Sequence, residues 1–418
     1  NMNTIPKLKI HQTNLNRNID FKDIMLNSSY DKLRFSWNSP NQLEIVGIDC
    51  ALCSDFSTTE EFYSLSKYYK SIIDSNKEWL SDLSIPLIFI INSFDMHSER
   101  KTPWLNIPRG FIFIPETIYI NKKGYKKLIT INNNIHNFKY SAKKSVDRNL
   151  NPKLKAETSL YDFSKMIEKS IKMMNEKKIS KIVLSRQKNY DFDFNINKQG
   201  DFLSKAKVRF PNCINFLYDF KDLGVFFGVS PETLFKTNGD TFYSEALAGT
   251  IKSNQMLDSI ENSKEFEEHK FVVDYINDKI TSFSNKIHYN KKPHLMKLKS
   301  MNHIRTEFKS VLNKNIFPFD IIHKLHPTPA VCGTPSNIAM NSIRNIENHD
   351  RGWYSGTLGW IDSNYNSHFI VSIRSGLSIG NNLYLYSGCG ITSKSDNNRE
   401  YDESEIKFNS ILSILNDE

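Results

Sequence analysis

The residues best suited to chemistry lie between Tyr386 and Lys407, which read Tyr-Ser-Gly-Cys-Gly-Ile, a polar loop, then Arg-Glu-Tyr-Asp-Glu-Ser-Glu-Ile-Lys. The spacing predicts a strand entering a turn flanked by Gly388 and Gly390, followed by a helix. On that helix Glu400, Glu403 and Lys407 recur at i, i+3 and i+7 and share one face, while Tyr401, Phe408, Leu412 and Leu415 face a core. Two carboxylates beside a lysine, under a turn with exposed amides, suit a divalent cation together with an anionic substrate. The same spacing also describes an amphipathic helix with a solvated charged face. Nothing within the stretch separates the two.

A chain of 418 residues suffices for two or three domains or one large mixed unit. Apolar runs such as Leu87 to Ile91 are strand-length, short of the roughly 18 residues a membrane span needs, so no membrane partner is expected. The first residues lack the charged, apolar and small succession of a secretory signal. Five thinly spread cysteines argue against a disulfide framework and for a reducing cytoplasm; Cys50 and Cys53 form an isolated CxxC with no expected metal or redox use. The net charge of +9 comes from dispersed lysines, not an aromatic-interleaved stripe, so no nucleic-acid partner is expected. The alternative from a different class, a non-catalytic binder of anions or nucleic acid, has only this net charge behind it, and the dispersed lysines argue against it. The expected assembly is a monomer or weak homodimer.

The elements that must position these residues can be read in order. Residues 1–150 carry strand-like segments at Leu43 to Ile48, Leu87 to Ile91 and Gly110 to Ile114, a helix over Thr59 to Leu83, and no chemical motif. A basic, asparagine-rich stretch from Lys122 to Lys155 reads as a solvated connector. Beyond it, a helix starts near Asp162 as N-cap, and a strand runs from Lys181 to Gln187. Asn238-Gly239-Asp240 between alternating apolar residues predicts a hairpin. A long helix over Ser263 to Phe283 puts Glu261, Glu265 and Glu268 on one face. Strands at Ser355 to Ile361, His368 to Arg374 and Leu383 to Tyr386 form a closing meander.

Taken in order, the blocks Lys181 to Arg186, Gly228-Val-Ser-Pro-Glu232, Leu247-Ala-Gly-Thr250, Glu268-His269, His326-Pro-Thr-Pro-Ala330, Tyr354-Ser-Gly356, Ser372-Ile-Arg374 and Gly388-Cys-Gly-Ile391 form a pattern. With Glu400, Glu403 and Lys407 last, the chain resembles the chorismate-utilising enzymes, and within them the isochorismate synthases, over roughly residues 160–415. The resemblance implies an α+β fold: two large, mostly antiparallel sheets packed face to face, helices outside, a cleft between. Residues 1–150 would then be half of the sandwich and 151–418 the catalytic region. It further implies chorismate as substrate, with Lys181 the base that activates water and Glu232 the acid that protonates a departing hydroxyl. Glu268 and Glu403 would hold Mg²⁺, with Glu400 a further ligand or support. Arg374, Lys407 and the amides around Gly388 and Gly390 would grip a carboxylate, Tyr386 and Thr250 would offer hydroxyls, and His303 and His326 would orient or touch the ring.

Three positions bear on the branch. Ala248 stands where aminodeoxychorismate synthases resembling this chain carry lysine, Lys181 where anthranilate synthases have glutamine, and Ala330 where ammonia users carry threonine. All three favour water over ammonia. Tyr354 is shared by salicylate synthases and menaquinone-type isochorismate synthases, so a salicylate synthase, or an isochorismate synthase of a siderophore pathway, is the alternative. The Glu245-Ala-Leu-Ala-Gly-Thr250 and Ala330-Val-Cys-Gly-Thr-Pro335 blocks look more like the menaquinone branch.

Overall fold

The computed structural model describes residues 5–15, 18–28, 33–40, 43–80, 84–132, 151–251, 254, 256–257, 263–298 and 301–416. Among them every strand pairing is antiparallel. The strands form one hydrogen-bonded path. One arm passes through Asn302–Leu312, Thr241–Ile251, Thr233–Asn238, Ser367–Val371, Thr357–Asp362, Pro86–Asn92 and Gly110–Lys122. The other continues through Leu43–Phe56, Arg34–Ser39, Ile214–Asp219, Val225–Ser230, Ser375–Ile379, Asn382–Ile391 and Lys181–Asp191. Strand Leu43–Phe56 shifts register between Cys50 and Leu52, and such a bulge sharpens the normal twist. The path thereby folds into two facing layers. Phe35 and Phe89, on strands that are not paired, meet with ring centroids 4.5 Å apart. The expected two sheets are thus layers of one continuous sheet.

Residues before 150 are woven into this sheet: Arg34–Ser39 pairs with Ile214–Asp219, and Pro86–Asn92 with Thr357–Asp362. Trp37, Trp104 and Trp353 are fully buried in the interior, where a large apolar side chain contributes about 1.5–3 kcal/mol. No helix is long and apolar enough to cross a membrane among the described residues.

Helix ends correct several expectations. The helix Leu160–Asn175 is capped by Ser159, whose hydroxyl accepts from the Asp162 N–H and donates to the Asp162 carboxylate, so Asp162 lies in the first turn. The helix predicted over Thr59 to Leu83 stops at Ser75, where the Asn76 amide donates to the Ile72 carbonyl, and a short helix Lys77–Leu80 follows. Residues 81–83, positions 133–150 of the basic stretch and Glu261 lie outside the described residues, and the described flanks of that stretch are strands, Tyr125–Ile131 and Lys153–Glu157, instead of a connector. The last strand is longer than its apolar pattern suggested: it spans Asn382–Ile391, with Gly388 and Gly390 inside it instead of in a turn.

Candidate active site

Four elements converge at one end of the sheet: the strands Lys181–Asp191 and Asn382–Ile391, paired to each other, and the helices Lys264–Thr281 and Asn397–Leu415. A cavity there is lined by Glu232, Thr250, Glu268, His303, Ala330, Tyr354, Arg374, Tyr386, Gly388, Gly390 and Lys407. Most of the expected site residues therefore meet. Lys181 lies behind Glu268, Glu400 and Glu403 behind Lys407 and Lys264, and His326 elsewhere.

Gly388 and Gly390 owe their identity to close approach. A Cβ on Gly390 would fall 1.9 Å from Glu268 Oε1, so only glycine lets that carboxylate lie flat against the strand. The glycines face Ser185 and Val183 across the ladder. The N–H groups of those two partners turn away, to Glu347 Oε1 and the Cys332 carbonyl. By antiparallel alternation the backbone polar groups of Gly388 and Gly390 point to the opposite edge, where Lys407 Nζ donates to the Gly388 carbonyl at 2.7 Å. We predict that Gly390→Ala displaces Glu268 and weakens divalent-cation binding about tenfold or more, with the melting temperature nearly kept. Calorimetric titration with Mg²⁺ beside thermal unfolding checks this.

On the cation-rich side Arg374 is buried and makes no ion pair among the described residues. Its guanidinium donates to His303 Nε2 at 2.9 Å and to Ser410 Oγ at 3.4 Å, while burial lowers its pKa from the usual arginine value. Burial, then Arg374 and Lys407, hold His303 well below the ordinary histidine range, so the ring is neutral. With Nε2 accepting, Nδ1 carries the proton and donates to Thr250 Oγ1 at 3.3 Å. The Thr250 hydroxyl in turn supports Glu403. One chain of hydrogen bonds thus ties the guanidinium to the acidic cluster. An unpaired buried guanidinium is a receptor for a carboxylate.

The acidic cluster holds Glu268, Glu400 and Glu403. Glu403 Oε1 contacts Lys407 Nζ at 2.6 Å, and Lys407 and Lys264 keep it ionised against the opposing effect of burial. Burial raises Glu400 and the neighbouring Glu403 raises it further, despite Lys264. Burial alone would raise Glu268, but Lys181 at 3.2 Å and Lys264 at 3.8 Å bring it below the usual carboxylate value. His269 steadies this helix through contacts to the Ala248 carbonyl and the Thr306 hydroxyl. Side-chain atoms of Glu400, Glu403 and Cys389 lie within 4.8 Å of one another. The Cys389 thiol donates to the Glu400 carbonyl, and burial keeps it protonated, so it is a wall of the site and not a ligand. Converging carboxylates are a set of hard oxygen donors that fits a divalent cation.

Two buried groups have displaced proton affinities. Burial lowers the Lys181 pKa while Glu268 pulls it back, and the ammonium is fully enclosed with no aligned hydrogen bond. Burial, reinforced by Glu245, pushes Glu232 up to about 8. Each feels the other's charge. A lysine biased towards the amine and a carboxyl biased towards the acid suit general base and general acid roles.

One expectation needs correction: His326 does not line the cavity, and its ring bonds the Ser355 carbonyl at 2.8 Å and packs edge-on to Phe94. The Tyr386 oxygen accepts from Trp104 Nε1 and Gln187 Nε2, which leaves its O–H to donate into the cavity, and its ring stacks on Tyr354 at 5.1 Å. Sequence reasoning missed Arg351, which lines the cavity but spends its donors on Glu347 and the Val183 and Val331 carbonyls. It also missed Lys264. The available signal was a lysine four residues before Glu268 at a helix start.

Known proteins resemble this chain in sequence and in fold. A family model described as "Chorismate binding enzyme" matches residues 8–416. The isochorismate synthase MenF of Bacillus subtilis is 30% identical over 93% of this chain and 89% of its own. The salicylate biosynthesis isochorismate synthase of Pseudomonas aeruginosa is 34% identical over 46% of this chain and 42% of its own. Among solved structures, the menaquinone-specific isochorismate synthase MenF of Escherichia coli superimposes with a TM-score of 0.78 at 22% identity, covering 99% of this chain and 97% of that one, a likeness of fold.

Proposed function

The chain belongs to the chorismate-binding enzyme family, and we propose that it is an isochorismate synthase of the menaquinone type, dependent on Mg²⁺. The observation that carries this reading is the opposite displacement of the buried Lys181 and Glu232, each sensing the other's charge, with Glu232 and the unpaired Arg374 lining one cavity. Water adds at ring C2 of chorismate as the C4 hydroxyl leaves. The neutral Lys181 amine takes a proton from the attacking water, and the protonated Glu232 carboxyl gives one to the departing hydroxyl. The protein ends with one proton moved from acid to base, which solvent resets. Arg374 pairs with one substrate carboxylate, assisted by Lys407 and the outward backbone of Gly388 and Gly390. Glu268, Glu400 and Glu403 would hold Mg²⁺, which neutralises the other carboxylate.

Incubation with chorismate and Mg²⁺, with chromatographic separation of products, is expected to give isochorismate without added ammonia. Salicylate with pyruvate would establish the salicylate-synthase alternative. A product that appears only with ammonia would overturn the role given to Lys181.

A further inference from the structure

Lys264 has no part in the acid–base pair, yet its ammonium is among the most enclosed cations of the molecule, with 7% of the side chain exposed. It lies 2.8 Å from Glu400 Oε1 and 2.9 Å from Glu400 Oε2, and 3.8 Å from Glu268 Oε2. Glu403, the third acid, is taken by Lys407. A magnesium ion bonds carboxylate oxygens at about 2.0–2.1 Å. An ammonium bridging both oxygens of Glu400 covers the positions such an ion needs, and two adjacent cations would repel across a poorly solvated gap.

We propose that the Lys264 ammonium is the internal counter-cation of the carboxylate cluster, held by Glu400 and Glu268 until a divalent cation takes its place. This rests on reading Glu268, Glu400 and Glu403 as metal ligands. The fold allows the exchange. Lys264 is the first residue of its helix, on a long flexible stem, so its head group can leave without moving the helix. Two outer ion pairs remain when the inner one opens: Arg399 of the last helix to Glu265 at 3.2 Å, and Lys394 in the turn before that helix to Glu267 at 2.9 Å. The lysine keeps the metal-free cluster from self-repulsion and lowers its apparent affinity for metal by competition.

The test is calorimetric titration of the chorismate-free protein with Mg²⁺, beside thermal unfolding in chelator and in saturating Mg²⁺. Lys264→Met is expected to bind Mg²⁺ about tenfold more tightly than wild type, to melt lower in chelator, and to gain more from Mg²⁺. Lys264→Arg keeps the charge and serves should the methionine variant not fold; it is expected to bind no more tightly than wild type. Equal or weaker Mg²⁺ binding by Lys264→Met, or tighter binding by Lys264→Arg, overturns the proposal. A wild type that binds no Mg²⁺, or whose binding is untouched by Glu403→Gln, overturns the metal reading beneath it as well.

Discussion

Lys181→Ala is expected to lower turnover of chorismate by about a thousandfold, within the 10²–10⁴ range of general acid–base catalysis, while the protein stays folded. The side chain is fully buried and its contact with Glu268, at 3.2 Å, lacks the alignment of a hydrogen bond, so it is a poor structural ion pair. Removing it does not orphan Glu268, which keeps Lys264 at 3.8 Å. The cost to stability is therefore mainly a cavity, a few degrees in melting temperature. The discriminating variant is Lys181→Arg. Arginine keeps the positive charge and cannot lose its proton. It is expected to be as inactive as alanine in the same assay. If arginine restored substantial turnover, the residue would be serving as a cation, and the base would have to be sought elsewhere.

The base and the acid were legible in sequence only through the order of the blocks around them, because nothing local distinguishes Lys181 from a lysine at any strand mouth. What buries it is distant in sequence: the helix carrying Glu268 and the strand of Gly333 and Thr334 that pairs over Ile182 and Lys181. The helix Asn397–Leu415 shows the same limit. Its polar spacing was plain, but a polar face reads alike whether it meets water or a charged cavity. The structure buries Glu400 to 3% exposure and pairs Lys407 with Glu403. Gly388 and Gly390 were taken for a turn because glycine usually marks one. Here it marks the place where the Glu268 carboxylate lies against the backbone, a contact between residues about 120 apart in sequence. Periodicity placed the hairpin after Asn238 and the long helix with little error, since those signals are local. His326 was misplaced for the opposite reason: its position is shared with a family, but here its ring is turned to the Ser355 carbonyl and Phe94 and away from the cavity.

Glu232→Gln is expected to be inactive and yet, in alkaline solution, more stable than the parent. Glutamine cannot deliver a proton to the leaving hydroxyl, so turnover should fall by about 10²–10⁴-fold. The stability gain follows from linkage. Glu232 titrates near 4.5 when unfolded and is pushed up to about 8 when folded, first by burial and then by Glu245. Below the lower value both states are protonated and the residue is neutral towards folding. Between the two values the unfolded chain ionises while the folded one cannot, so each rise in pH favours unfolding. Above about 8 the folded protein carries a buried carboxylate and the full penalty, of the order of a few kcal/mol, is present. Glutamine removes the titration and with it the slope. Thermal or denaturant unfolding of both proteins from pH 5 to pH 9 should give curves that meet at the acid end and diverge upward in favour of the variant. Parallel curves would mean that Glu232 is ionised throughout, which would remove it as the acid. The parent's activity should fall as pH rises through about 8, where its loss of stability levels off, because both mark the ionisation of one buried carboxyl. A catalytic acid made by withholding solvent makes the folded state less stable at alkaline pH, and the variant should show the two effects separated.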